Sequence, residues 1–175
     1  MKNATGQIEE AVRAVVETFR NGGKILLAGN GGSAADAQHW AAEWVIRLAH
    51  DIKRKSLPAI ALNTDGSILT AGGNDLGFDQ VFARQVEGLG EKNDLLVLIS
   101  TSGMSKNLLL AARTARSNGI RVLGILGNGG GELKDLCDLF VLVPSDNTQL
   151  IQEMQGIVGH QLCELSERIL FENAE

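Results

Sequence analysis

The chain has no tyrosine, and its aromatic residues are five phenylalanines and two tryptophans among 175 residues. So sparse a set offers no platform on which nucleic-acid bases could stack. Basic charge is not in excess either: 16 Lys and Arg face 21 Asp and Glu, for a net charge of -5. A dedicated nucleic-acid binder would carry a basic patch or stripe, so that class is set aside. No apolar run approaches the roughly 18 residues that a membrane helix needs, and no membrane partner is expected. Glu9 and Glu10 stand where a secretory signal would have its apolar core, so the expected location is the cytoplasm. The two cysteines, Cys137 and Cys163, sit among apolar residues without metal-type spacing. They read as small buried hydrophobes of a reducing compartment. With 44% hydrophobic and 21% charged residues, the composition is that of an ordinary globule and excludes wholesale disorder. The expectation is a single domain spanning residues 1–175, large enough to bury about 70% of its unfolded surface.

Glycine is what the chain has in plenty. Its 21 glycines amount to well above the usual level of about 7%, and they cluster in short runs suited to tight loops around a ligand. A short N-terminal helix is expected over about 5–21, where Ile8, Val12, Val15, Val16 and Phe19 repeat at helical spacing. Five apolar runs follow, at 24–28, 58–62, 95–99, 121–126 and 139–143, separated by helical patterns. A long C-terminal helix is expected over about 147–172. Uninterrupted apolar strands alternating with helices indicate a parallel sheet covered on both faces, a three-layer α/β/α sandwich of flavodoxin-like type. Ligands of such sheets bind at the carboxyl ends of the strands. Those ends carry the Gly- and Ser-rich segments 29–33, 100–105 and 127–131.

Gly29-Asn30-Gly31-Gly32-Ser33-Ala34 fits the dinucleotide fingerprint. The acid that should bind the ribose about 20 residues later is missing, since the first one beyond the second strand is Asp65. A phosphate or sugar site fits better, because free N–H groups at a helix N-terminus favour an anion. Ser100-Thr101-Ser102-Gly103-Met104-Ser105 places four hydroxyls within six positions, where a plain helix cap needs one. No Lys-Ser/Thr pair follows either loop, so nucleoside triphosphate chemistry is not expected. His39 and Glu43 share one helix face, one turn apart, a pair that alone is more often a surface hydrogen bond. Gln152, Glu153 and His160 punctuate an otherwise apolar or small-residue stretch of the last helix. His50 reads as surface.

The stretch Leu26 to His39 resembles the first loop and helix of the sugar isomerase (SIS) domain, and more narrowly of bacterial phosphoheptose isomerases. Asn74-Asp75, Ser100-Thr101-Ser102-Gly103-x-Ser105, and Ile151-Gln152-Glu153 with His160 fall in the same order and spacing, over about residues 8–172. The resemblance implies interconversion of sedoheptulose 7-phosphate and a glycero-manno-heptose 7-phosphate through an enediol, early in the synthesis of lipopolysaccharide or other surface sugars. It implies that Asn30, Gly31, Gly32, Ser33, Ser100, Thr101, Ser102 and Ser105 hold the sugar phosphate, and that Asn74 and Asp75 meet the sugar hydroxyls. It gives Glu43 as general base, His160 as acid, and His39, Glu43, Gln152 and His160 as a zinc-binding set. Departures are a missing N-terminal helical arm, Leu150 where an Arg is frequent, and Gln155 where a His is frequent.

Two other readings stay open: a non-catalytic SIS scaffold that binds a replication initiator, and an isomerase of another phosphorylated sugar. Retention of both Glu43 and His160 favours an enzyme. Gln152 and His160 are eight residues apart, about 12 Å of helical rise and 80° of rotation. One ion at zinc–ligand distances of about 2.0–2.2 Å would be reached more easily if the two came from different subunits. A homo-oligomer, the tetramer the resemblance implies, is therefore expected, with sites at subunit interfaces and base and acid on different chains. In that reading Gly156 and Gly159 permit close approach of helices across a symmetry axis.

Overall fold

The computed structural model describes residues 4–172; the outermost residues of the expected 1–175 domain lie outside them. Five strands, β1 (Ile25–Gly29), β2 (Ala59–Ala61), β3 (Leu95–Ser100), β4 (Arg121–Leu126) and β5 (Leu139–Leu142), form one parallel sheet in the order β2-β1-β3-β4-β5. Seven α-helices accompany them: α1 (Ala4–Arg20), α2 (Gly32–Val45), α3 (Gly66–Asp75), α4 (Val81–Leu89), α5 (Lys106–Ser117), α6 (Leu133–Leu136) and α7 (Thr148–Phe171).

Successive strand side chains point to opposite faces, and both faces are covered here. Ile25, Leu27, Val97, Ile99 and Ile125 pack under α1, α2 and α7. Leu26, Leu96, Leu98 and Val122 pack under α4 and α5. Every residue of β3 is buried, which is why its sequence is a continuous apolar run. Trimming one of these leucines to alanine costs roughly 2–5 kcal/mol.

Two boundaries differ from the sequence expectation. The edge strand β2 is three residues long rather than five. Its flanks nonetheless belong to the ladder, since Ile25 N–H donates to the Pro58 carbonyl and Leu62 N–H to that of Leu27. The stretch after it divides into α3, a 3-10 turn at Phe78–Gln80 and α4. The break falls at Gly77, whose φ of 89° no helix accommodates. Helix α2 stops at Val45, where the Arg54 guanidinium takes the Glu43 and Trp44 carbonyls from outside the helix. Among the described residues no helix is long and apolar enough to cross a membrane.

Candidate functional site

Strand order reverses between β1 and β3, so their following helices leave for opposite faces and open a crevice at the carboxyl edge. Helices α2 and α5 start there, and neither has a side-chain cap. Asp65 caps α3 and Asn147 caps α7 through two backbone N–H groups each, while α4 and α6 also lack a side-chain cap. The N-termini of α2 and α5 point their partial positive charge into the crevice, where an anion can bind.

The hydroxyl loop between β3 and α5 is internally braced. Ser100 is buried, and its Oγ accepts from Gly103 N–H at 2.9 Å. Ser102 Oγ accepts from Met104 N–H at 3.3 Å. The hydroxyls of Thr101 and Ser105 make no hydrogen bond among the described residues. Segment 127–131, expected to be a third ligand loop, stands behind this one. A Cβ on Gly103 would overlap the Gly130 carbonyl, and Leu133 N–H donates to the Gly103 carbonyl at 3.0 Å. Gln155 adds a second brace: wholly buried, its Nε2 donates to the Ser100 and Ile125 carbonyls at 3.2 and 2.8 Å.

Asn30, expected on the phosphate, is committed to another side chain. Its amide exchanges hydrogen bonds with that of Asn107, 3.0 Å one way and 2.8 Å the other. This pair joins the first loop to the first turn of α5. Asn107 escaped the sequence reading, although a buried asparagine on an apolar helix face is a signal that something polar must meet it. Asn63 also escaped notice: at the β2 exit its Nδ2 donates to the Ala34 carbonyl, and its buried Oδ1 lacks a partner among the described residues.

The other part of the site lies along α2 and α7, which run side by side in the same direction. Gly32 lies against the Gln152 amide, Gly159 against the Trp40 ring, and Trp44 Nε1 donates to Ser166 Oγ at 3.1 Å. The same alignment brings His39, Glu43 and His160 together. His39 Nε2 is 3.0 Å from Glu43 Oε1 and 3.4 Å from His160 Nε2. One donor atom from each of the three lies within 4.8 Å of the others, a spacing that a single metal ion could bridge.

Gln152, the fourth residue of the expected set, has its amide beside Gly32, about two helical turns before His160 on α7. One expectation is corrected by this geometry. Glu43 and His160 meet within one chain, so base and acid need not come from different subunits. Of the two α7 glycines, Gly159 is reassigned. A Cβ at Gly159 would overlap the Trp40 ring, whereas Gly156 faces open space. Asn74 and Asp75 are exposed at the end of α3, Nδ2 of Asn74 donating to Oδ1 of Asp75 at 2.7 Å. Among the described residues neither hydrogen-bonds to the loops or to the His–Glu cluster.

Asp36, three residues before His39, was given no role from sequence. Burial raises its pKa above the usual carboxylate range, and the neighbouring His39 and His160 act in the opposite direction. Its carboxylate thus belongs to the electrostatic surroundings of the cluster.

Known proteins with this arrangement are close in sequence. The SIS domain family model matches residues 1–127. The phosphoheptose isomerase of Roseiflexus sp. (strain RS-1) is 57% identical over 158 residues, 90% of this chain and 79% of that protein. Among solved structures, the phosphoheptose isomerase of Francisella tularensis superimposes with a TM-score of 0.89 at 39% identity, over 93% of this chain and 86% of that one. That of Neisseria gonorrhoeae gives 0.89 at 40%, over 95% and 88%. The two-part crevice is therefore carried by a chain that belongs to the phosphoheptose isomerases of the SIS-domain family.

Proposed function

We propose that this chain interconverts sedoheptulose 7-phosphate and D-glycero-D-manno-heptose 7-phosphate by moving a proton between adjacent carbons through an enediol. The observation that carries the reading is the two-part layout of α2. Its N-terminus has no side-chain cap and follows the loop whose Asn30 is tied to Asn107 of α5, and His39 and the base Glu43 stand seven and eleven positions beyond Gly32.

In this assignment Gly31, Gly32 and Ser33 offer N–H groups, and Thr101, Ser102 and Ser105 hydroxyls, to the phosphate. Asn30 and Ser100 shape that cradle rather than fill it. Gln152, beside Gly32, meets the phosphate end of the sugar, while Asn74 and Asp75 are assigned to its hydroxyls by resemblance alone. The Glu43 carboxylate, mostly shielded at 18% side-chain exposure, takes the carbon-bound proton. His160 delivers a proton to the oxygen, and each partner contributes about 10²–10⁴-fold. His39 holds Glu43 by its 3.0 Å contact.

The donor set of His39, Glu43 and His160, to which the resemblance adds Gln152, suits zinc. When bound there, zinc would supply Lewis-acid polarisation of the carbonyl. Retention of this acid–base cluster is the feature that favours an enzyme over a replication-initiator scaffold.

The reading includes one domain over the whole chain, a cytoplasmic location suited to a biosynthetic enzyme, and a homotetramer. Leu150, Met154, Ile157 and Leu165 are exposed on α7 at i, i+4, i+7 and i+15. With exposed Ile46 at the end of α2, they are apolar side chains on the two helices that carry His39 and His160, and a second copy of the chain would cover them.

Incubation of the purified protein with sedoheptulose 7-phosphate and a panel of shorter ketose phosphates, followed by chromatographic separation of the isomers, tests the function. Conversion of the heptose phosphate is expected to dominate. No conversion, or faster conversion of a shorter sugar, would overturn the assignment.

A further inference from the structure

We propose that the buried pair Arg54–Glu167 is a positioning element for the acid–base cluster. The proposal rests on the roles given above to Glu43 and His160. Arg54 and Glu167 form an ion pair in which both side chains are 1% exposed. Charges so deeply buried are costly unless every hydrogen-bonding group finds a partner, and here the partners belong to the site.

The Arg54 guanidinium spreads over four acceptors. Nη2 donates to the main-chain carbonyl of Glu43 at 2.8 Å, Nη1 donates to those of Trp44 at 2.8 Å and Lys55 at 3.0 Å, and Nε donates to Glu167. The Glu43 and Trp44 carbonyls lie in the last turn of α2, where a helix leaves its C=O groups without intrahelical partners. A cation there also complements the negative end of the helix dipole. Arg54 is thus the C-terminal cap of the helix that carries His39 and Glu43.

Glu167 ties this cap to the helix that carries His160. It stands seven residues after His160 on α7, two turns on and on nearly the same face. Its second oxygen accepts from Ala49 N–H at 2.9 Å, holding the chain that leaves α2. The planar fork of arginine suits this arrangement, because it binds a carboxylate and three carbonyls at fixed angles. At the other end of α2, Gly32 and Gln152 are about 16 Å of helical rise away from Glu43. Arg54–Glu167 therefore sets the depth of Glu43 relative to His160 and leaves the phosphate cradle alone.

Two variants test the proposal in the full-length protein. The pair variant Arg54→Met/Glu167→Met fills the same space without charge, a replacement that is often neutral or stabilising. Arg54→Lys keeps the charge and loses the fork. Both are expected to lower kcat for the sugar phosphate at least about tenfold with KM changed less than about twofold, the signature of a displaced catalytic group. Imidazole ¹H–¹⁵N spectra are expected to show the His39 and His160 ring signals moved. Wild-type kcat and unmoved ring signals in folded protein would overturn the proposal, as would kcat and KM failing together with a loss of melting temperature. If the pair variant does not fold, Arg54→Lys decides by the same two readouts. If the unaltered protein turns over no sugar phosphate, the function fails separately, and the histidine signals decide the positioning role.

Discussion

Asn30 and Asn107 exchange two amide hydrogen bonds across the crevice between the first loop and α5. Each amide thereby supplies both a donor and an acceptor to the other, and Asn107 Oδ1 also accepts from Leu108 N–H at 3.0 Å. The loop after β1 and the start of α5, proposed as two halves of a phosphate cradle, are held in register by this pair.

Asn107→Leu leaves the Asn30 amide without its partner. Stability is expected to fall by about 1–3 kcal/mol, and KM for the sugar phosphate to rise several-fold with kcat less affected. Denaturant melts and steady-state kinetics check both parts; unchanged KM would separate the pair from phosphate binding.

Glu43→Gln keeps the shape of the side chain and removes its basicity, so turnover is expected to drop at least about 10²-fold while the protein stays folded. His160→Asn is expected to be similarly impaired. Because the two residues meet within one chain, co-refolded mixtures of the two variants are expected to regain no activity. Restored turnover in the mixture would show that base and acid are shared between chains.

Gly159→Ala puts a methyl group into the Trp40 ring. Overpacking of this kind costs typically about 1–3 kcal/mol. It also pushes the adjacent His160 away from His39, so zinc affinity, measured by competition with a chromophoric chelator, is expected to weaken along with the melting temperature. Gly156→Ala, which meets open space in the chain, is the control and is expected to leave zinc affinity unchanged.

The two thiols are expected to be inert in the folded protein. Burial pushes Cys137 up to about 12, with Asp138 adding to the rise, and pushes Cys163 well above its ordinary value. The thiolate is the reactive form, so native Cys137 should react with a disulfide reagent at pH 8 about 10³-fold more slowly than the same thiol in denaturant. Its rate should climb about tenfold per pH unit, for as long as pH stays below that pKa. Rapid labelling of both thiols at pH 8 would show that the chain opens around them.

Much of the fold was legible because strands buried on both faces cannot alternate. Leu95 to Ile99 and Arg121 to Leu126 announce β3 and β4 for that reason. The edge strand β2 was legible in place but not in length, since only Ala61 of its three residues is buried. The site loops could be located by their glycines and hydroxyls, which mark tight turns beside uncapped helices. Partnerships were not legible. Asn30 meets Asn107, Trp40 meets Gly159 and Arg54 meets Glu167 across intervals of 77 to 119 residues, and such pairs leave no periodic trace. Helical spacing put Gln152 and His160 about two turns apart on one helix. It could not show which of them lies beside Glu43, because that depends on how α7 is aligned along α2.

That alignment makes α2 a molecular ruler. The cradle end at Gly32 and the imidazole of His39 are separated by seven residues of one rigid helix, roughly 10 Å of rise. A sugar anchored by its phosphate must be long enough to bring its carbonyl end to the far mark. A loop that held only the phosphate would grip it alike, whatever chain hangs from it. Discrimination between a five-carbon and a seven-carbon substrate would then be written in turns of helix, and a short sugar could saturate the cradle while remaining short of His39 and Glu43.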